Sequence, residues 1–340
     1  MLYSKVTATV VGVTALAFAC LPATADEADF YRDKTVTVMV PSSLGATLGL
    51  YGRLVVDHIG KFIPGNPTVI IESRPGAGGA VGAAYAYTIA PKDGTYIAEV
   101  LAPSVTLPLL KQGVKFDGAK FQWIGSLVPR PAVISMWRET TPAKTLEEAK
   151  HKKVILGSSG QGSETYLIPT LMNHTLGTKF DVVIGYKGGA EINQAMEQGE
   201  VNGRMQYWSG WTAGKPQWLR DNKLIHFVQY GPRIKELPDV PSLKDLVKDK
   251  KAKQMVTFLE SANRIGMGFW VPPETPKARV AALRKAFKAM MESKEFQDMA
   301  AKIKAPVEYV SGEELQAITA EAYDTPEPVI TNLKTVLGFK

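Results

Sequence analysis

"TVIIESRPGAGGAVGAAYAYTIAPKDGTYIAEVLA" (Thr68–Ala102) decides the fold. Two apolar runs, "TVIIE" and "TYIAEVLA", read as strands. Between them lie a glycine-rich turn and a segment in which Val81, Ala84, Tyr85 and Thr88 share one helix face, ended by Pro91. Strand, helix, strand implies two parallel strands joined by a right-handed crossover. Upstream, "TVTVMV" (Thr35–Val40) is a further strand. Tyr51, Leu54, Val55, His58, Ile59 and Phe62 follow it with the spacing of a helix that has one apolar face. The chain therefore opens βαβαβ, on a parallel sheet. The glycines do not make a nucleotide loop. Counted from Gly76, the dinucleotide fingerprint needs glycine where Val81 stands, and no G-K-[ST] follows. They read instead as a tight turn that lets helix and sheet pack closely.

The pattern restarts further on. "AVISMW" (Ala132–Trp137), "KVILGSS", "FDVVIGY" and "HFVQYG" (His226–Gly231) read as strands. "TLEE" (Thr145–Glu148) is a capping box, and Ile192, Ala195, Met196 and Gly199 mark a helix face. Near the C-terminus Thr275 is placed to cap a helix that begins at Pro276 and turns Val280, Leu283 and Phe287 inward. "SGEE" (Ser311–Glu314) is a second capping box. Two such blocks in 340 residues suggest two α/β lobes.

The first 25 residues read as a cleaved export signal. Lys5 is its positive end, Val6–Ala19 its apolar stretch, and "ATA" (Ala23–Ala25) its small-residue cleavage site. Cys20, the only cysteine, lacks a leucine-like residue three positions before it, where Ala17 stands; soluble export is favoured over a lipid anchor. Removing the segment takes Lys5 away and leaves about +6 of the formal +7 charge. A basic exported chain suits anionic small molecules, not nucleic acid. "KDLVKDKKAK" (Lys244–Lys253) reads as a solvated helix face.

Three loops carry the candidate chemistry. "GSSGQGS" (Gly157–Ser163) follows a strand and opens a helix, so its backbone N–H groups, hydroxyls and amide can converge on an anion. Pro169 should shorten or bend that helix. "PSSLGATLG" (Pro41–Gly49) lies at the corresponding strand end of the first block, and open α/β sheets bind ligands beyond such ends. Catalytic patterns are weak. There is no G-x-S-x-G, and His58 lies on an apolar helix face. His151, His174 and His226 lack metal-ligand spacing, so neither metal nor cofactor is expected. Tyr207, Trp208, Trp211 and Trp218 either pack a core or cover a ligand.

In this order, "VTVMVP…GR" after "FYRDK", "ESRPGAGGAVGA", "APKDGTYI", "LGSSGQGS", "GYKGGAEINQAMEQGEVNG", "ELPDVPSLKDL" and "VPPETPKARVAALRKAF" resemble the periplasmic solute-binding proteins of tripartite tricarboxylate transporters, the TctC or Bug family. The resemblance covers nearly the whole mature chain. It implies a two-lobed Venus-flytrap α/β fold of the type II binding-protein kind, with lobe 1 from residues 26–128 and 230–340 and lobe 2 from 129–229. Hinges are expected near Ser126–Pro131 and Gln229–Gly231. It also implies a monomeric, cofactor-free periplasmic receptor that hands a small carboxylate to membrane permease subunits.

Carried over by position, the first-lobe ligand residues are Ser42, Ser43, Gly45, Ala46 and Thr47. The second-lobe residues are Ser158, Ser159, Gly160, Gln161, Gly162 and Ser163. Ser104 in "APS" and Tyr186 in "YKGG" mark further cleft edges. The sequence departs from the family where "PGGGTD" is usual, with Gly49 in place of the Asp. It departs again at "VNGRMQYW", which brings Arg204 and Gln206 to the site. The loops hold no acid, so the expected ligand carries a carboxylate and no ammonium. The competing readings are an exported hydrolase with a cleft serine and a receptor that presents its ligand to a sensor.

Overall fold

A computed structural model describes residues 24–339 apart from 46, 162 and 187. The expected leader, Cys20, Ala46, Gly162 and Lys187 therefore lie wholly or largely outside the described residues. Eleven strands form two sheets. The first holds β1 (Thr35–Val40), β2 (Thr68–Ser73), β3 (Tyr96–Glu99), β4 (Gln122–Ser126), β10 (Gly268–Val271) and β11 (Val310–Ser311), in the order β11-β4-β10-β3-β1-β2. The second holds β5 (Ala132–Trp137), β6 (Val154–Ser158), β7 (Phe180–Ile184), β8 (Gly203–Tyr207) and β9 (Leu224–Tyr230), in the order β7-β6-β8-β5-β9.

The βαβαβ opening is present: β1 pairs in parallel with both β2 and β3, in the register Val38↔Ile71 and Val38↔Ile97. Neither sheet is purely parallel. β10 runs antiparallel between β3 and β4, and β5 runs antiparallel between β8 and β9. β10 enters the first sheet from 169 positions beyond β3 along the chain (99 to 268), so the sheet closes only after the second is complete.

Helix Thr47–Ile59 buries Tyr51, Leu54, Val55, His58 and Ile59 against Val36, Val38 and Ile97. Burying each large aliphatic side chain stabilises by about 1.5–3 kcal/mol. Phe62 lies beyond the helix end. Gly52 sits where the helix crosses β1, and a Cβ there would lie 2.2 Å from a Val40 methyl. The glycine-rich turn has the packing role expected of it. Gly79 adopts φ 87°, and a Cβ on Gly82 would meet the Arg74 carbonyl and the Met39 sulfur at 3.0 Å. Helix Ala80–Thr88 thus lies close on the opposite sheet face, with Ala83 and Ala86 buried.

Both predicted N-caps form, with Thr145 and Ser311 accepting from the N–H groups of Glu148 and Glu314. Thr275 does not cap helix Lys277–Glu292. Its hydroxyl donates to the Pro272 carbonyl at 2.7 Å, and Pro276 occupies the cap position. Helix Glu164–Leu176 continues past Pro169, so the proline does not shorten it.

The core of the second sheet combines Ile134, Leu156, Met205 and Val228 with Leu243, Met255, Phe258, Ile330 and Leu333. Those last five belong to helices Leu243–Leu246, Lys250–Ile265 and Glu327–Leu337, in a stretch the sequence reading grouped with the first sheet. Their apolar faces meet the second sheet once the chain has crossed back.

Candidate functional site

The chain passes from β4 to β5 through residues 127–131, and Arg130 lies in this crossing. Its backbone is clamped to helix Lys250–Ile265: Arg130 N–H donates to the Asn263 carbonyl at 2.8 Å, and the Asn263 amide donates back to the Arg130 carbonyl at 2.9 Å. The guanidinium lies 3.7 Å from the centre of the Tyr207 ring, at the end of β8. Among the described residues it has no ion-pair or hydrogen-bond partner.

Acids surround it. Glu99 ends β3 on the face toward helix Thr47–Ile59. It is 1% exposed, and both its carboxylate oxygens lack a hydrogen-bond partner. Burial pushes its carboxyl well above the usual range, against the opposing pull of Arg130. Glu164 opens helix Glu164–Leu176 and accepts a hydrogen bond from the Tyr207 hydroxyl. Desolvation raises its carboxyl too, while Tyr207 and Arg130 pull it down. Tyr230, across β5 from Tyr207 in register with Ala132, has a fully buried hydroxyl without a partner. Tyr51 on helix Thr47–Ile59 also feels Arg130, and burial pushes its hydroxyl up to about 12.

The predicted loops follow the ends of β1 and β6. Ser42 follows β1; its carbonyl accepts from the Ser73 hydroxyl at 2.7 Å, while Ser43, Gly45 and Thr47 are exposed. Ser104 is buried with its Oγ unpartnered. In the second loop the hydroxyls do not converge on an open point. Ser158 is fully buried, and its Oγ meets Thr165 Oγ1 at 2.9 Å, Ser163 Oγ at 3.3 Å and the Gly160 N–H at 3.2 Å. Ser163 donates to the Gly160 carbonyl at 2.9 Å. These side chains hold the loop's shape, and Ser159 and Gln161 point outward.

Arg204, Gln206 and Tyr186 are not brought to Arg130. Strand alternation places Arg204 and Gln206 on the opposite face of β8 from Tyr207, and Tyr186 packs on that same opposite face. Arg204 is 4% exposed. It donates to the carbonyls of Met205 and Gly189 at 3.0 and 2.7 Å and to Asn193 Oδ1 at 3.2 Å. Burial without an acid partner pushes its guanidinium down to about 10. Its bonds tie helix Gly189–Glu197 to the sheet.

Sequence reasoning missed Arg130 and Glu99. Arg130 was within the expected hinge, and Glu99 was read as part of a strand. A charged residue at the end of an otherwise apolar strand was the available signal. The accounting of acids over loops alone omitted Glu99, so it does not support rejection of an ammonium. Another contact invisible to spacing is Ser135 Oγ to His226 Nδ1 at 2.9 Å. Trp211 Nε1 donates to the same Oγ at 3.0 Å, Ser135 is fully buried, and burial pushes His226 down to about 4. Trp211 and Trp218 themselves are core residues. Among the described residues no cluster of His, Cys, Asp and Glu could hold a metal, and no helix is long and apolar enough to cross a membrane. Open grooves of about 410, 390 and 220 Å³ lie elsewhere, the first along Val56, Lys61 and Val69.

Comparison with known proteins agrees with this architecture. A Cupriavidus necator protein described as "UPF0065 protein in gbd 5'region" is 26% identical over 330 residues, 94% of this chain and 93% of that one. A TctC solute-binding protein from Polaromonas superposes with TM-score 0.67 at 22% identity, covering 89% of this chain and 98% of that one. MatC from Rhodopseudomonas palustris with bound malate superposes with TM-score 0.57 at 20% identity, covering 89% and 98%. The model of the family described as "Tripartite tricarboxylate transporter family receptor" matches residues 53–335. This chain, with its two mixed sheets joined at Arg130, belongs to that receptor family, TctC.

Proposed function

We propose that the protein captures a small organic carboxylate between two lobes outside the cytoplasm and delivers it to the membrane permease subunits of a tripartite transporter. One lobe is built on β1–β4, β10 and β11, the other on β5–β9 with the C-terminal helices that share its core. Residues 1–25 serve as the export leader. The observation that carries the reading is Arg130, a guanidinium without an anionic partner at the crossing between the sheets. Its planar fork suits bidentate pairing with a carboxylate, and each charge-assisted hydrogen bond contributes about 1.5–3 kcal/mol. With this cation in the crossing between the sheets, lobe closure would bring Ser42–Thr47 and Ser158–Ser163 onto the same ligand. The malate held by MatC is a ligand of this class.

The hydrolase alternative gains little from Ser135 and His226. The serine is sealed in the sheet, and a histidine this far depressed is a poor base near neutral pH. The pair satisfies buried polar groups. Calorimetry and thermal shift with mono-, di-, tri- and aromatic carboxylates, amino acids and uncharged sugars test the function. At 100 times its dissociation constant the ligand should add about 2.7 kcal/mol of stability. Binding confined to uncharged solutes would refute it.

A further inference from the structure

Glu99 and Arg130 are each left without a partner, and they do not pair with each other. Glu99 ends β3, is 1% exposed, and neither of its oxygens meets a donor. The backbone opposite is Gly52, so helix Thr47–Ile59 covers the carboxyl without offering it a donor. Ser104, in the turn that follows the same strand, has a buried, unpartnered Oγ as well. Strand β10 joins their neighbourhoods: Phe269 pairs with Glu99, and Gly268 pairs with Ser126 at the entry to the crossing that carries Arg130, whose charge acts on Glu99. Buried polar atoms are nearly always paired, so the orphaned Glu99 carboxyl and Ser104 hydroxyl, with the half-buried Arg130 guanidinium close by, mark groups that a ligand completes.

We propose that Glu99 selects the ligand: the carboxylate anchored by Arg130 carries a hydroxyl group, and that hydroxyl pairs with the Glu99 carboxyl. This rests on the reading of Arg130 as the carboxylate anchor. The two orphan sets differ in chemistry. The guanidinium only donates, so it takes the ligand's carboxylate. A carboxyl withdrawn from water is held neutral, and it both donates and accepts. A hydroxyl does the same, so the pair forms without moving a charge. A plain carboxylate satisfies Arg130 and leaves Glu99 orphaned. An amino acid requires Glu99 to ionise in a place that burial disfavours.

The test is calorimetric titration of the full chain with matched pairs, malate against succinate and lactate against propionate, with aspartate as a third arm. The hydroxy acid of at least one pair should bind on the order of tenfold or more tightly than its plain partner. Glu99→Leu should shrink that gap to about threefold or less. Equal affinity of hydroxy and plain acids in the wild-type protein overturns the inference and leaves the carboxylate receptor standing. Tightest binding of aspartate overturns the hydroxyl class. If no carboxylate binds at all, the anchor and the inference fall together.

Discussion

Arg130 lies 3.7 Å over the ring of Tyr207, and the Tyr207 hydroxyl donates to Glu164. The residue at the crossing between the sheets is thereby held by the second sheet, while its backbone is held by Asn263. A guanidinium stacked on a ring gains about 0.5–2 kcal/mol and keeps its N–H edge free for an anion. Tyr207→Leu removes the platform and should weaken carboxylate affinity by about threefold to tenfold. Tyr207→Phe keeps the ring and should retain most of the affinity. Titration of both variants decides it; equal losses would mean that the hydroxyl and not the ring positions Arg130.

Tyr207→Phe has a second consequence, read in stability. It deprives the Glu164 carboxyl, beside the second-sheet core, of its donor. Leaving one buried polar group unpaired costs about 1–3 kcal/mol. Urea unfolding should show a loss of this order with an unchanged m-value. No loss would mean that water replaces the hydroxyl.

Glu260 makes stability depend on pH. It is 5% exposed, accepts from the Gly231 N–H at 3.2 Å, and burial pushes its carboxyl up to about 7 from the usual 4.5. In the unfolded chain it titrates near 4.5, so between these values the folded state binds more protons. Stability from this group therefore falls as pH rises from 4.5 to 7 and stays low above. Glu260→Gln keeps an acceptor for Gly231 and should flatten that fall, raising stability at pH 8 by on the order of 1–3 kcal/mol. Denaturation of both proteins across pH 4–8 measures it, and parallel curves would contradict it.

Ser158 shapes its loop from within. Its Oγ links Gly160, Ser163 and Thr165 in the turn that leads into helix Glu164–Leu176. Ser158→Ala should cost about 1–2 kcal/mol of stability and weaken ligand binding through the loop's shape. Ser159→Ala, at an exposed position, should leave stability within about 0.5 kcal/mol. Paired thermal melts and titrations separate them; the reverse ranking would place the ligand on Ser159.

What the sequence showed and what it hid follow from physical range. β1, β2, β5 and the helix face from Tyr51 to Ile59 were legible because local periodicity reports the side that is buried. β4 and β10 were not. They are short and interrupted by Gly125 or bounded by Gly268, and they pair with partners more than a hundred residues away. The loops around Ser42 and Ser158 were visible as polar breaks after strands. Arg130 and Glu99 come near each other only through the crossing between the sheets and the return of β10, which no window of the sequence contains. Arg204 misled because its charge suggested a ligand, while strand alternation turns it toward helix Gly189–Glu197.

The central claim is that Arg130 anchors a ligand carboxylate between the sheets, and the most direct measurement is titration of wild type and Arg130→Gln with the tightest carboxylate found in the screen. Gln keeps a similar length and loses the charge and the fork. The account predicts a loss of at least about 100-fold in affinity, since a charge-assisted pair contributes about 1.5–3 kcal/mol per hydrogen bond, with the fold retained and a stability loss of about 0.5–2 kcal/mol from the lost stacking on Tyr207. Affinity within about threefold of wild type in a folded Arg130→Gln protein would contradict it.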